Sequence, residues 1–188
     1  MSSDPWVKVR TRHDFPADEV ISALQKEIRR SNVENAALLA YELLTTSAEL
    51  EAKLWSRLQV IAVEDVGPGD WQAPVLVNAL YQMTQRFERE GYPPDRGLFA
   101  VHAVRYLATR AKDRSSDEMY NWIRHAVEEG EARPAIPDYA IDKHTARGQA
   151  IGRGSKHFYD EAARVIPELP GRETTYRQRL LEMLDKQE

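Results

Sequence analysis

An all-α fold, a multi-helix bundle, follows from the way apolar residues recur at helical spacing along the 188-residue sequence, with Ser, Asp or Pro where each periodic segment begins and Gly or Pro where it ends. The exception lies at the start, where Val7, Lys8, Val9 and Arg10 alternate between Trp6 and Thr11. That run suits a short edge strand or an ordered stretch lying on the domain, and residues 1–15 are set apart as an N-terminal extension. Pro16, with Asp18 and Glu19 behind it, opens a first helix whose Val20, Ile21, Leu24 and Ile28 share one face as far as Arg30. Ser31-x-x-Glu34 has the form of a capping box, and a second helix carrying Ala36 to Leu44 follows with almost no linker. Ser47, with Glu49 and Glu51 in the first turn where the helix dipole favours anions, opens a third. Its stripe is Leu50, Leu54, Trp55, Leu58, Ile61 and Ala62, and Gly67-Pro68-Gly69 ends it.

Asp70 is placed to cap a fourth helix with Val75, Leu76, Ala79, Leu80, Met83 and Phe87 inward, stopped by Gly91 and Pro93-Pro94. The fifth, from about Asp95 to Ala111, is apolar nearly all round, which predicts a central position. Ser115-x-x-Glu118 repeats the capping-box pattern before a sixth helix predicted to bury Met119, Trp122, Ile123, Ala126 and Val127 as far as Gly130. Pro134 and Pro137 make Glu131 to Asp138 a loop. Beyond it the pattern weakens: Phe158, Ala162, Val165 and Ile166 suggest a short helix, and a last one from Arg172 is expected to bury Tyr176, Leu180, Leu181 and Leu184. The expected organisation is one domain over 16–188, with 16–130 as the bundle core and 131–188 as a loop and helices packed on it.

Composition narrows the functional classes. The formal charge of −4, from 26 basic and 30 acidic side chains, gives no global attraction to polyanions, so any nucleic-acid contact must come from a local basic patch. The absence of cysteine excludes a disulfide framework and any thiolate zinc site, and it fits a reducing compartment, with the cytoplasm as the expected location. Met1 to Arg12 lacks the apolar run of a signal peptide, and no segment approaches the roughly 20 apolar residues that span a bilayer, so no membrane partner is expected. No Gly-x4-Gly-Lys-Ser/Thr loop occurs, so there is no cradle for a nucleotide's phosphates and no ATPase activity of its own is expected.

The words Ile21-Ser22-Ala23-Leu24, Lys26, Ile28-Arg29, Ser31, Ala36-Ala37-Leu38, Arg57-Leu58, Ile61-Ala62 and Glu64-Asp65-Val66-Gly67, in that order and spacing, resemble the C-terminal region of MgsA/RarA-type AAA+ ATPases. That family includes the Werner helicase interacting protein and is related to clamp loaders. The similarity runs on through Tyr106-Leu107-Ala108, Pro137 and Gly152-x-Gly154, and covers most of the chain after Asp14. It implies a helical collar-like domain, which in the family holds the ATPases together as a tetramer beside an ATP-hydrolysing module that acts at stalled replication forks. These 188 residues carry no counterpart of the ATPase module, and a free-standing version of the collar is what the resemblance then implies. Lys112-Asp113-Arg114-Ser115 also departs from the family's Pro-Lys-Ser-Asn, and the segment Glu131 to Asp142 looks different.

Several groups of residues are candidates for chemistry. Glu64 and Asp65 are adjacent acids at a helix end, where the dipole disfavours them. They read as metal ligands or an acid/base pair, or as structural residues that pair with bases such as Arg57 or Arg105 and fix the turn at Gly67; adjacent helical positions point about 100° apart, which disfavours a shared ligand. Lys143, His144, Arg147, Arg153, Lys156 and His157 form the densest basic run, interspersed with glycines. They are a candidate phosphate or nucleic-acid site, or else a solvated connection whose charges pair with Asp160 and Glu161. His144 and His157 with Asp142 or Asp160 also admit a metal-assisted hydrolase, though without a recognised ligand spacing. Arg105, Arg110, Lys112 and Arg114 make a second positive cluster where cations complement the fifth helix's carbonyl end.

His102, among Phe99, Val101, Ala103 and Tyr106, reads as a core histidine, and His13-Asp14 lacks companion histidines. Trp55, Trp71, Trp122, Tyr41, Tyr81 and Tyr106 read as core or interface fillers. The reading that follows is a non-enzymatic interaction domain without cofactor, metal or catalytic residue, which forms a homo-oligomer, tetramer or dimer, or docks on a replication or repair protein, with DNA as a candidate partner. A small nucleic-acid or phosphate-binding protein using 143–157, and the hydrolase, are the alternatives.

Overall fold

The computed structural model describes residues 5–89 and 94–186, and the stop signals Gly91 and Pro93 lie outside them. The described chain is all-α. Its helices are α1 (Ala17–Arg29), α2 (Val33–Thr46), α3 (Ala48–Ile61), α4 (Ala73–Thr84), α5 (Pro94–Thr109), α6 (Ser115–Glu128), α7 (Ala146–Ala150), α8 (Ser155–His157) and α9 (Thr175–Asp185). The sequence places a change of character at Gly130 within one domain; the structure divides the chain there into two compact units, Met1–Glu129 and Gly130–Glu188.

In the first unit α1 buries Ala17, Val20, Ile21, Leu24 and Ile28, and α3 buries the stripe Leu50, Leu54, Trp55, Leu58, Ile61 and Ala62 that its spacing predicts. Each fully buried Leu or Ile contributes about 1.5–3 kcal/mol of transfer free energy. Ser47 caps α3 by accepting a hydrogen bond from the Leu50 N–H at 3.2 Å. The Ser31 capping box does not form. Ser31 sits instead at φ 63°, just past the end of α1, where its N–H bonds the Ile28 carbonyl and the Asn32 N–H reaches back to the Glu27 carbonyl. Those two bonds are a Schellman ending, so the residue that looked like the start of α2 is spent closing α1.

The central position predicted for the fifth helix is observed: α5 packs against α1, α2, α3 and α4. Small residues, Gly97, Ala100, Ala103 and Ala108, line its buried side and let the helices approach closely, while Leu98 and His102 face solvent. His102 is therefore not a core histidine. On α4 the buried positions are Ala73, Val77, Leu80 and Thr84, whereas Val75 and Met83 are exposed, a face rotated from the predicted one. Asp70 does not act as a simple cap: one carboxylate oxygen accepts from the Gln72 N–H and the other from the Tyr106 hydroxyl at 2.6 Å, tying α5 to the turn before α4.

The sixth helix differs most from expectation. Of its predicted inner face only Ala126 is buried, while Met119, Trp122, Ile123 and Val127 are 62%, 61%, 42% and 51% exposed. Its principal contacts are with a π-helical turn, Ala62–Val66, and a 3-10 turn, Gly67–Gly69. Nor does its Ser115 cap it; the Asp113 side chain accepts the Ser115 N–H at 2.9 Å.

From Pro5 on, the N-terminal segment is an ordered extension, not a strand, with a 3-10 turn at Pro5–Lys8 and an isolated bridge between Arg10 and Pro16. It is fastened to α2 by Glu42, whose carboxylate accepts the His13 N–H at 3.0 Å and contacts His13 Nδ1 at 2.6 Å.

The second unit is built on shorter elements. Thr145 caps α7, and α8 runs on into a π turn at Phe158–Ala162. Val165 and Ile166 lie outside that helix and are exposed, as is Tyr176 on α9, whose Leu180, Leu181 and Leu184 are half-buried. Few of this unit's described side chains are fully shielded: Ile141 and Asp142 are the buried ones beside Gly148.

Burial acts to raise the Glu42 pKa, but the bonds from Thr11 and His13 outweigh it and hold the carboxyl below its ordinary 4.5. With the folded-state value depressed, the unfolded chain binds the proton first as the solution is acidified. The stability Glu42 contributes is present above pH 4.5 and is lost as pH falls through the folded value. Glu42→Gln should therefore flatten the acid side of the stability-against-pH curve, measured by urea unfolding at stepped pH, and leave less difference from the parent in strong acid than at neutrality.

Candidate functional site

Position 65 continues the spacing of Leu58, Ile61 and Ala62, so the π-helical turn that follows α3 carries a carboxylate into the core. Asp65 has no exposed surface. One oxygen takes Arg29 Nε at 2.5 Å and Arg114 Nη1 at 2.6 Å; the other accepts Gln25 Nε2 at 2.9 Å. Glu64, a quarter exposed, lies 3.2 Å from Arg29 and 3.1 Å from Arg114, and Arg114 also holds Asp117 at 2.5 Å. The partners of the acid pair are thus Arg29 and Arg114, not Arg57 or Arg105; Arg57 acts one step removed, donating to the side-chain Oε1 of Gln25 at 3.3 Å. Burial works to lower the Arg114 pKa, yet the bonds to Glu64 and Asp65 and the nearby charges raise it above its ordinary value.

The backbone completes this arrangement. The Asp113 N–H donates to the Asp65 and Val66 carbonyls, both at 3.1 Å. Gly67, at φ 48°, leaves room where a Cβ would come within 2.3 Å of the Asp113 carbonyl oxygen, and one on Gly69 would come within 2.6 Å of the Ala111 carbonyl oxygen. The Glu64 to Gly69 run therefore clasps the link between α5 and α6 through both side chains and backbone. Its π turn places Asp65 among the arginines.

The cations predicted to form anion sites are mostly engaged. Arg114 is spent on the clasp. Lys112 donates to the Ala108 and Arg110 carbonyls, and burial lowers its pKa against the raising field of Asp65. Arg110 lies over the Tyr106 ring at 5.0 Å. In the second unit, Lys143 donates to Ser155 Oγ at 3.0 Å and sits over the Phe158 and Tyr159 rings. His144 pairs with Asp142 at 3.0 Å, Arg153 with Asp138 at 2.5 Å, and Lys156 with Asp185. The counter-ions are thus Asp138, Asp142 and Asp185, not Asp160 and Glu161. Arg147 is exposed, and His157 carries a shielded Nδ1 without a hydrogen-bond partner. The cluster at Arg110 to Arg114 belongs to the other compact unit. Among the described residues no group of three or more His, Asp or Glu side chains is placed to hold a metal ion, which leaves the hydrolase reading without a ligand set.

Two further buried carboxylates escaped the sequence reading. Glu51 is 3% exposed and accepts Arg89 Nε and Arg96 Nε, each at 2.8 Å, while Arg96 also donates to the carbonyls of Thr84, the last residue of α4, and Phe87 just beyond it. Glu42 is the other. The signal was present for Glu51, which keeps the spacing of Leu54, Trp55 and Leu58 and so falls on the buried stripe.

All four tryptophans, Trp6, Trp55, Trp71 and Trp122, belong to the first unit, so their fluorescence reports its unfolding. Truncating one member of a buried charge network leaves the others uncompensated, at about 3–5 kcal/mol, whereas a partly exposed pair is worth about 0–1 kcal/mol. Asp65→Ala should accordingly lose about 3–5 kcal/mol in urea unfolding followed by that fluorescence, and Glu64→Ala no more than about 1 kcal/mol.

No helix of the described residues is long and apolar enough to cross a membrane. A search of the curated proteins finds no match. The family model described as the C terminal of the MgsA AAA+ ATPase matches residues 31–168, a span that takes in α2 to α8, the clasp and the basic segment. The all-α chain that folds around Asp65 belongs to the MgsA AAA+ ATPase C-terminal family.

Proposed function

We propose that the chain is a non-enzymatic interaction domain that self-associates through the outward face of α6. The observation that carries this reading is the exposure of Met119, Trp122, Ile123 and Val127 on one amphipathic helix, a helix that the clasp holds by its other side. Grouped apolar exposure of this kind marks surfaces that are covered in an assembly. The charge pattern favours a second copy as the occupant. Asp117 and Glu118 precede the stripe's centre and Arg124 and His125 follow it. Two α6 helices crossing antiparallel about a two-fold axis set the acids of one copy opposite the bases of the other, and oppose their dipoles as well.

Family membership supports an AAA+ ATPase as the wider setting, and hence a place in replication or repair. Support for DNA as a direct partner is thinner, since among the cations of 143–157 most are engaged within their own unit and Arg147 is the exposed one with no hydrogen bond or ion pair among the described residues.

Size-exclusion chromatography with light scattering on the full chain should give a multiple of 21.6 kDa, reduced to 21.6 kDa by Trp122→Glu with Ile123→Glu. A parent that stays at 21.6 kDa at high concentration, or an assembly that survives both substitutions, removes the reading.

A further inference from the structure

In the second unit the chain between Tyr159 and Arg177 surrounds a cavity of about 640 Å³, within the roughly 300–1,000 Å³ range of small-molecule sites. Three arginines line it, Arg164, Arg172 and Arg177, with one acidic residue, Glu168. An arginine carries five N–H donors and no acceptor, so the donors here far outnumber the protein acceptors they meet. Arg177 gives one bond, to the Tyr159 carbonyl at 2.9 Å. Arg172 gives one N–H to Glu168 at 2.8 Å and another to the Glu173 carbonyl at 3.5 Å, while its Nε is shielded from solvent with no hydrogen-bond partner. Arg164 bonds the Asp160 carbonyl at 2.6 Å and lies 3.3 Å from Glu161, with its side chain 66% exposed.

Surplus guanidinium donors converging on a concavity are the chemistry that recognises phosphate, whose tetrahedral oxygens take several charge-assisted bonds at once. Arg164 has Glu161 beside it and Arg172 has Glu168, while Arg177 bonds the Tyr159 carbonyl, so N–H donors remain on all three guanidinium groups. A phosphate ester, which carries about −1.5 to −2 charge near neutrality, brings three strong acceptor oxygens to those donors, where a carboxylate brings two. The lining also includes Ala163, Val165 and the open side chain of Ile166, apolar surface on which the body of such an ester can lie. We infer that the Arg164, Arg172 and Arg177 cavity binds a phosphate-bearing small molecule. The site shares no residue with the basic run at 143–157, and it does not depend on self-association through α6.

The test is titration of the full chain with inorganic phosphate, pyrophosphate and acetate at constant ionic strength, followed by the arginine Nε–H signals in 15N-correlated NMR. Saturable shifts confined to Arg164, Arg172 and Arg177, with pyrophosphate tighter than acetate by at least about tenfold, are expected for charge-assisted guanidinium contacts. Arg177→Gln should weaken pyrophosphate by about tenfold, while Arg133→Gln, at an exposed position of the same unit outside the cavity, leaves it unchanged. Arg164→Gln provides a second loss variant at a largely exposed position, so a folding failure at Arg177 does not decide the matter. Non-saturating shifts, acetate equal to pyrophosphate, or undiminished binding in Arg164→Gln overturns the inference.

Discussion

The bond set around Asp65 is the constraint on which the first unit depends. A carboxylate with no exposed surface has lost its water, and only Arg29, Arg114 and Gln25 stand in for it. Those partners come from α1 and from the residue just before α6, so satisfying one buried charge fixes three parts of the chain at once. The hydrophobic stripes of α1 and α3 are non-directional and would tolerate small slides along one another. The guanidinium contacts do not, because hydrogen bonds weaken steeply with misalignment. Gly67 and Gly69 add a steric condition, since the backbone of Ala111 to Asp113 occupies the space a side chain would need.

Function, on the reading proposed above, is a consequence of that mounting. Helix α6 rests on the clasp by its polar side, with Asp117 drawn to Arg114, and this leaves Met119, Trp122, Ile123 and Val127 outward. An amphipathic helix held this way displays an apolar face at a fixed angle without a flexible tether. The other buried acids do related structural work at a distance: Glu51 collects Arg89 and Arg96 from beyond α4 and from α5, and Glu42 holds the N-terminal extension to α2. Each ties together segments that the apolar packing alone leaves free to shift.

Much of this was legible in the sequence. The all-α class, the stripes of α1 and α3, the Ser47 cap and the central place of α5 all follow from spacing and end signals, which are local properties. The misses share one cause. Periodicity shows that α6 has an apolar face but not what lies against it, so Trp122 looked like a buried residue and is open to solvent. Ser31 satisfied the pattern for beginning α2, yet the competing demand to close α1 took it. Glu64 and Asp65 stand out in the sequence as acids that need compensation, but their partners sit 35 to 50 positions away along the chain, beyond any local rule. The cavity of Arg164, Arg172 and Arg177 left no motif, because its members meet through loops with irregular spacing.

The account's central claim is that Asp65 and Arg114 act as one unit. A double-mutant cycle with Asp65→Asn and Arg114→Met, read by urea unfolding through the tryptophans of the first unit, measures that directly. The structure predicts a coupling of about 2–3 kcal/mol, with the double variant less destabilised than the sum of the two single ones. Additive losses, within about 0.5 kcal/mol, would contradict it.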